Sequence, residues 1–255
     1  FCQQYSLPLI GKPATRSWLF NNDKDLKLFL ETNFAWQDSI SNIVLDKTYW
    51  KVPSVKEPDK ILLHIGSKEK NIDFINSKFS IEHWKIAYLE QNILLTEIAL
   101  NKIVSLTEIP TNSVDGIFFS YLLERLYWHE LPKLLSELLR ILKPTGFCLG
   151  WAFDMQAAAK WIAQDKPFEI IGHSPFGTLT PFDIIFNHRN ITTPQTPLLA
   201  HHCGFTMTSL AQIFQTNGFG SIYSSQRTAG FDLQVLATCY PIPGDLLQTL
   251  TSVYF

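Results

Sequence analysis

Apolar residues along this chain follow two spacings in turn. Residues 60–66, KILLHIG, form a short continuous apolar run closed by glycine, the pattern of a strand buried on both faces. Residues 84–89 repeat it and end at Glu90, and residues 102–106 repeat it more weakly as a third strand. Residues 114–119 and 147–153 are the fourth and fifth. Between these last two the spacing becomes helical. Leu122, Leu126, Leu131, Leu134, Leu135, Leu138, Leu139 and Leu142 fall near one broad face and predict a helix over 122–142. Pro132 either interrupts that helix or opens its second half, because proline suits a first turn and not an interior. Lys143-Pro144-Thr145-Gly146 is the predicted stop. Buried strand, helix, buried strand makes a right-handed crossover, and so a parallel sheet with helices on its faces.

The rest of the chain extends this α/β reading. Residues 154–164 predict a helix with an alanine-rich face of Ala157, Ala158, Ala159 and Ala163. From 167 to 203 the pattern breaks up among prolines, glycines, polar residues and histidines. A stretch this long is more than a connection, so 167–205 is read as an inserted lid or substrate segment. Residues 206–216 predict a helix capped by Thr206 or Thr208 and stopped by Asn217-Gly218. Residues 220–224 and 231–239 predict a closing antiparallel strand pair. The organisation expected is an N-terminal arm over 1–59, a main domain over 60–240 and a C-terminal tail over 241–255. Within the arm, 25–36 suits a short helix, and 52–59, with two prolines, suits a linker.

Composition narrows the function classes. The 255 residues are 46% hydrophobic, enough for a full core. With 21 basic and 23 acidic residues the net charge is −2, which gives no electrostatic case for non-specific nucleic-acid binding. No apolar run approaches the ~20 residues of a membrane span. The first residues lack a basic start followed by a long apolar stretch, so a cytoplasmic location is the expectation. Cys2, Cys148, Cys203 and Cys239 form no CxxC pair, which suits free thiols, with Cys148 as inert core. His188, His201, His202 and Cys203 match no compact zinc spacing, and no metal is expected. Tyr127, Trp128 and His129 are read as half-buried on the 122–142 helix, with an aromatic partner surface as the other reading.

In an open parallel sheet, ligands bind outside the carboxyl ends of the strands, where the strand order reverses. Four strand ends therefore matter: Gly66-Ser67, Glu90, the region of Ser105, and Ser120-Tyr121. A glycine after the first strand lets backbone approach a ligand, and an acid after the second can accept both hydroxyls of a ribose. Asp183 and His188 are candidates for removing a proton. Equally, Asp183 suits a helix cap and His188 a structural hydrogen bond.

KILLHIGS, WKIAYLEQN, SVDGIFFSYLLERLYWHELPKLLSELLRILKPTGF, TPFDIIFNHR and HHCGFT together resemble class I S-adenosylmethionine-dependent methyltransferases over about residues 60–240. The likeness is to a bacterial subgroup with an LEHLYPHEVP-like helix and downstream TPxDxxYGHR and AHRTGFT segments. It implies a Rossmann-like methyltransferase fold, a mostly parallel seven-stranded sheet with an antiparallel C-terminal hairpin, and S-adenosylmethionine as cofactor. Carried over residue by residue, it makes Gly66, Ser67, Glu90, Ser105 and Ser120 cofactor-binding. It places Tyr121, Arg189 and His201 at the substrate and Asp183 and His188 in catalysis. Lys68 stands where the family has a second glycine, Ser105 where it has an acid, Arg125 where it has the LEHL histidine, and Thr145 where KPGG has glycine. Two function classes follow. One is a methyltransferase acting on a small molecule or cell-surface precursor. The other is a catalytically inactive protein of this fold that serves as partner or regulator of another enzyme, as a homo- or hetero-oligomer.

Overall fold

The computed structural model describes residues 60–66, 71–80, 83–89, 91, 104–174, 176–192, 199–227 and 231–255, with backbone alone at 72, 104 and 105. The N-terminal arm, its 25–36 helix and the 52–59 linker lie outside the described residues. Strands β1 (Lys60–Ile65), β2 (Trp84–Leu89), β3 (Val114–Ser120) and β4 (Leu142–Phe153) run parallel. Strands β7 (Ile222–Gln226) and β8 (Asp232–Thr238) form an antiparallel hairpin on β4, in the order β2-β1-β3-β4-β8-β7. The sheet is mostly parallel with an antiparallel closing pair, as expected, but it has six strands among the described residues where seven were predicted.

The missing strand is the weak third one. Residues Val104–Thr107 form a helical turn, α2, so Ser105 lies in a helix and not at a strand end. One fully buried side chain, Leu106, anchors it, and Thr107 and Glu108 are exposed. Arg140 satisfies one carbonyl within it and one just beyond, donating to Leu106 O at 2.8 Å and Ile109 O at 3.0 Å. A guanidinium on the terminal carbonyls of a turn favours helix over an extended run.

The leucine-rich stretch is also shorter than predicted. A 3-10 turn, Leu123–Arg125, comes first, and α3 spans Leu131–Ile141 with Pro132 in its first turn. Proline has no N–H to give an interior helical bond, so the helix starts there. Tyr127, Trp128 and His129 thus lie in the turn before α3. The first two are 50% exposed, half-buried as expected, but in a turn and not on the predicted helix. The helix stops at Ile141, just ahead of residues 143–146, as predicted. The helix passes straight into β4, and these four residues sit in a register shift between the Val114–Leu142 and Gly116–Phe147 pairs. Lys143 holds that bulge by an ion pair to Asp115 at 2.8 Å, and Asp115 also accepts from Ile61 N at 2.9 Å.

Both sheet faces are covered. Leu63, Ile65, Ile117 and Phe119 pack under α3 and α6 (Met207–Thr216), through Leu134, Leu138, Leu210 and Phe214. Leu62, Phe118, Phe147 and Leu149 pack under α1 (Ile72–Lys78) and α7 (Gly244–Tyr254). Tyr254 lies 5.1 Å from Phe79 and 4.7 Å from Phe147, so residues 244–254 close that layer. Thr206 caps α6 in a capping box with Ser209, and Asp154 caps α4 (Met155–Ile162), accepting from Ala157 N at 3.1 Å. The 167–203 segment carries a small hairpin, β5 (Gly172–Ser174) and β6 (Gly177–Leu179), and the short helix α5 (Pro181–Phe186).

The β3–β4 contact gives one stability test. A Cβ on Gly150 would fall 2.3 Å from Phe119 Cζ, with both residues buried in the sheet. Gly150→Ala is expected to cost about 1–3 kcal/mol in denaturant unfolding through overpacking. A variant as stable as the parent would show that Phe119 has room to turn.

Candidate functional site

The connection from β1 leads outward to β2 and the connection from β3 leads the other way to β4, so the winding reverses between β1 and β3. The crevice belongs above their carboxyl ends. Gly66 ends β1, donating to Leu89 O at 2.9 Å. A Cβ there would come 2.7 Å from His64 Nε2, so any side chain would force that ring to move. Asn71, at φ 63°, resumes the described chain beyond the loop and donates to Ser120 Oγ at 2.7 Å. Gln91 donates to Tyr121 O at 2.9 Å. Thus the segments after β1 and β2 both reach across to the end of β3.

Tyr121 is the backbone pivot of this edge. It has φ 49°, in the left-handed region that side chains other than glycine, asparagine and aspartate seldom adopt. Three contacts hold it there: its N–H on Trp151 O at 2.8 Å, its ring stacked 4.4 Å from Phe153, and its hydroxyl bonded to Asp232. Burial and the neighbouring Asp232 carboxylate push its hydroxyl well above the ordinary range. Arg227 pairs with Asp232 at 3.3 Å and lies 3.9 Å over the Trp151 ring. Strain of this kind gathers where surrounding structure enforces it, often at ligand sites.

Beneath Gly66 lies a residue that the sequence reading passed over. His64 is fully buried, 5.6 Å from the Tyr88 ring and 5.5 Å from that of Phe118, and neither ring nitrogen has a partner among the described residues. Burial holds it neutral, lowering its pKa to about 4. The signal was in the sequence: a lone polar residue inside the apolar run of β1. Glu124 was missed likewise, a carboxylate among leucines. It is 1% exposed, and burial first of all raises its pKa to about 7. Nothing in the pattern marks Arg227 and Asp232, which come together only through the hairpin.

The remaining candidates divide. Ser67 and Glu90 lie outside the described residues, as does the Ser105 side chain. Ser120 is buried at the crevice with Asn71 on its hydroxyl. Asp183, His188 and Arg189 sit on α5 and the turn after it. Asp183 closes a capping box with Thr180, accepting from Thr180 N at 2.8 Å and Thr180 Oγ1 at 2.7 Å. It also accepts from Arg189 N, Nε and Nη2. His188 is buried, and its Nδ1 accepts from Asn190 N at 3.2 Å. His201 places Nδ1 3.0 Å from Ile184 O and its ring 5.4 Å from Phe153. The described residues contain no group of three or more His, Cys, Asp or Glu able to hold a metal ion. None of their helices is long and apolar enough to cross a membrane.

Residues 85–150 match the family model described as a methyltransferase domain. No curated protein matches the chain. Solved structures that match include the CurJ carbon methyltransferase, at 12% identity and TM-score 0.47, covering 74% of this chain and 50% of that one. An S-adenosylmethionine-dependent methyltransferase from Methanosarcina mazei matches at 14% identity and TM-score 0.44, covering 74% and 96%. The 1,6-didemethyltoxoflavin-N1-methyltransferase of Burkholderia thailandensis, with 1,6-didemethyltoxoflavin and S-adenosylhomocysteine bound, matches at 14% identity and TM-score 0.42, covering 71% of each chain. Against several matched structures this chain spans only 47% to 64% of the other's length. The family match is to a methyltransferase domain, in line with the resemblance drawn from the sequence motifs.

Proposed function

We propose that this chain is an S-adenosylmethionine-dependent methyltransferase acting on a small molecule or cell-surface precursor. The observation that carries the reading is the group of polar residues at the carboxyl ends of β1 and β3, where the winding reverses. There buried Gly66 closes over His64, whose two ring nitrogens have no partner among the described residues, and Asn71, Gln91 and Ser120 are polar groups at the strand ends. Buried polar atoms without partners are rare in native proteins, and a polar ligand seated here would give them one. In their chemistry these polar groups suit a nucleoside cofactor. Gly66, Ser67 and Ser120 would hold it, with Glu90 on the ribose, and Ser105 remains an adenine-side candidate. When bound, the cofactor supplies a methyl group on a sulfonium centre. The chain's own share is to align the acceptor and exclude water, the largest contribution available to a transfer with little covalent chemistry by the protein.

Asp183 positions its segment in this reading. Burial alone would raise its carboxyl, but the hydrogen bonds from Arg189 and Thr180 outweigh that and hold it well below the usual carboxylate range. A carboxylate so stabilised is a poor proton acceptor. His188 supports the same turn through Asn190. A second reading, a non-catalytic partner or regulator of another enzyme, is favoured by Lys68 in place of a loop glycine.

Calorimetric titration separates the two. S-adenosylmethionine and S-adenosylhomocysteine are expected to bind saturably. Glu90→Ala should weaken both about 10- to 100-fold, the loss of a charge-assisted pair of hydrogen bonds. A folded protein that gives no heat at millimolar ligand would leave the partner reading standing.

A further inference from the structure

A second group of unpaired polar atoms lies around Phe153, at the carboxyl end of β4. Glu124 Oε2, Arg125 Nε and His201 Nε2 are all buried and without a hydrogen-bond partner among the described residues. They come from two stretches far apart in sequence that the fold ties together. His202 N–H and Cys203 N–H both donate to Glu124 O, at 2.7 Å and 3.1 Å. Phe153 N–H donates to the other carboxylate oxygen of Glu124, and the Phe153 ring lies 5.4 Å from that of His201. Arg125 interacts electrostatically with both Glu124 and His201. Native interiors leave few such atoms unmade, and three on neighbouring residues call for a partner.

Their chemistry defines that ligand. His201 Nδ1 faces Ile184 O, which can only accept, so Nδ1 carries the ring proton and Nε2 is an acceptor. Burial keeps the ring neutral, with a pKa of about 4. Arg125 Nε–H is a donor in every state. Glu124 Oε2 is an acceptor once ionised, above about pH 7. The set presents one donor and two acceptors. Its complement is a neutral group with two N–H donors beside one carbonyl oxygen.

We propose that Glu124, Arg125 and His201 form the pocket that recognises the methyl acceptor, and that the acceptor carries a primary carboxamide or ureido group. Its N–H groups bond Glu124 and His201, and its carbonyl accepts from Arg125. This rests on the methyltransferase reading only for the word acceptor; the pocket itself stands on the three atoms.

The test uses protein labelled with ¹⁵N at histidine, at pH 8, titrated with acetamide, with acetate as the mismatched probe. Acetamide is expected to shift the His201 Nε2 resonance saturably, and acetate to leave it in place. Glu124→Gln, which can turn one acceptor into a donor, should weaken acetamide at least tenfold while the folded spectrum persists. An unmoved His201 resonance would mean that ordered water fills the pocket, and would overturn the proposal. So would an equal response to acetate, or unweakened acetamide binding in the variant. S-adenosylhomocysteine titrated into the same sample keeps the two readings apart. If it binds and acetamide does not, the pocket fails alone. If acetamide binds and it does not, the methyltransferase reading fails alone.

Discussion

Asp183→Ala is expected to destabilise the protein by about 3 kcal/mol, and to open α5 to amide exchange well before the sheet. The Asp183 side chain is nearly fully buried and accepts five hydrogen bonds, two from Thr180 and three from Arg189. Alanine leaves Thr180 N–H and its hydroxyl buried without that acceptor, since Thr180 is itself 3% exposed. It also frees a guanidinium that otherwise clasps the turn. The ion pair contributes little on its own, because the Arg189 side chain is 50% exposed and its charge is screened by water. The loss therefore falls on the cap and its buried amide. Asp183→Asn keeps one acceptor oxygen and should lose roughly half as much. Denaturant unfolding of both variants, with hydrogen exchange across 180–189, reads the effect. If alanine costs under about 1 kcal/mol, the five-bond network is not what holds α5.

This residue also shows what a sequence can and cannot disclose. The order Thr180-Pro181-Phe182-Asp183 carries the signature of a capped helix start: a hydroxyl, a proline in the first turn, and an acid three residues after the cap. Two residues competed for a chemical role here, and the sequence left Asp183 open between proton acceptor and helix cap. The parallel sheet was legible for a similar reason. Continuous apolar runs at 60–66 and 114–119 have no polar face to offer solvent, so helices must cover them on both sides. The third strand was not legible, because Arg140, far along the chain, caps the carbonyls of α2. No window around Leu106 contains that information. The site divides in the same way. Gly66 and Ser120 follow from where strands end. Tyr121 is held by Asp232 and Arg227, brought to it by the β7–β8 hairpin, and Glu124 meets His201 only through main-chain bonds to residues 202 and 203. Contacts between distant segments, and not local pattern, assemble the part of the site that would choose a substrate.

Acid should unfold this protein earlier than a chain with exposed histidines, and His64 and His201 are the cause. Burial lowers each from 6.5 to about 4, so between these values the unfolded chain binds protons that the folded one refuses. Their contribution is complete above pH 6.5 and is lost as pH falls toward 4, up to about 3 kcal/mol for each ring. Glu124 works in the opposite sense. Its pKa rises from 4.5 to about 7 on folding, so the folded state holds its proton more tightly, and stability from this group falls as pH climbs through that window. Between pH 4.5 and 6.5 the carboxyl offsets one histidine, and the second gives a net slope toward acid instability. His64→Leu removes one titration while keeping an apolar side chain between Tyr88 and Phe118. The variant should lose less stability than the parent on going from pH 7 to pH 4.5, by about 2–3 kcal/mol. Glu124→Gln should do the reverse, steepening the loss toward acid because the offsetting carboxyl is gone. Parallel pH profiles for the parent and His64→Leu would mean that the buried imidazole finds a partner when protonated, and the unpaired ring under Gly66 would no longer support a ligand site there.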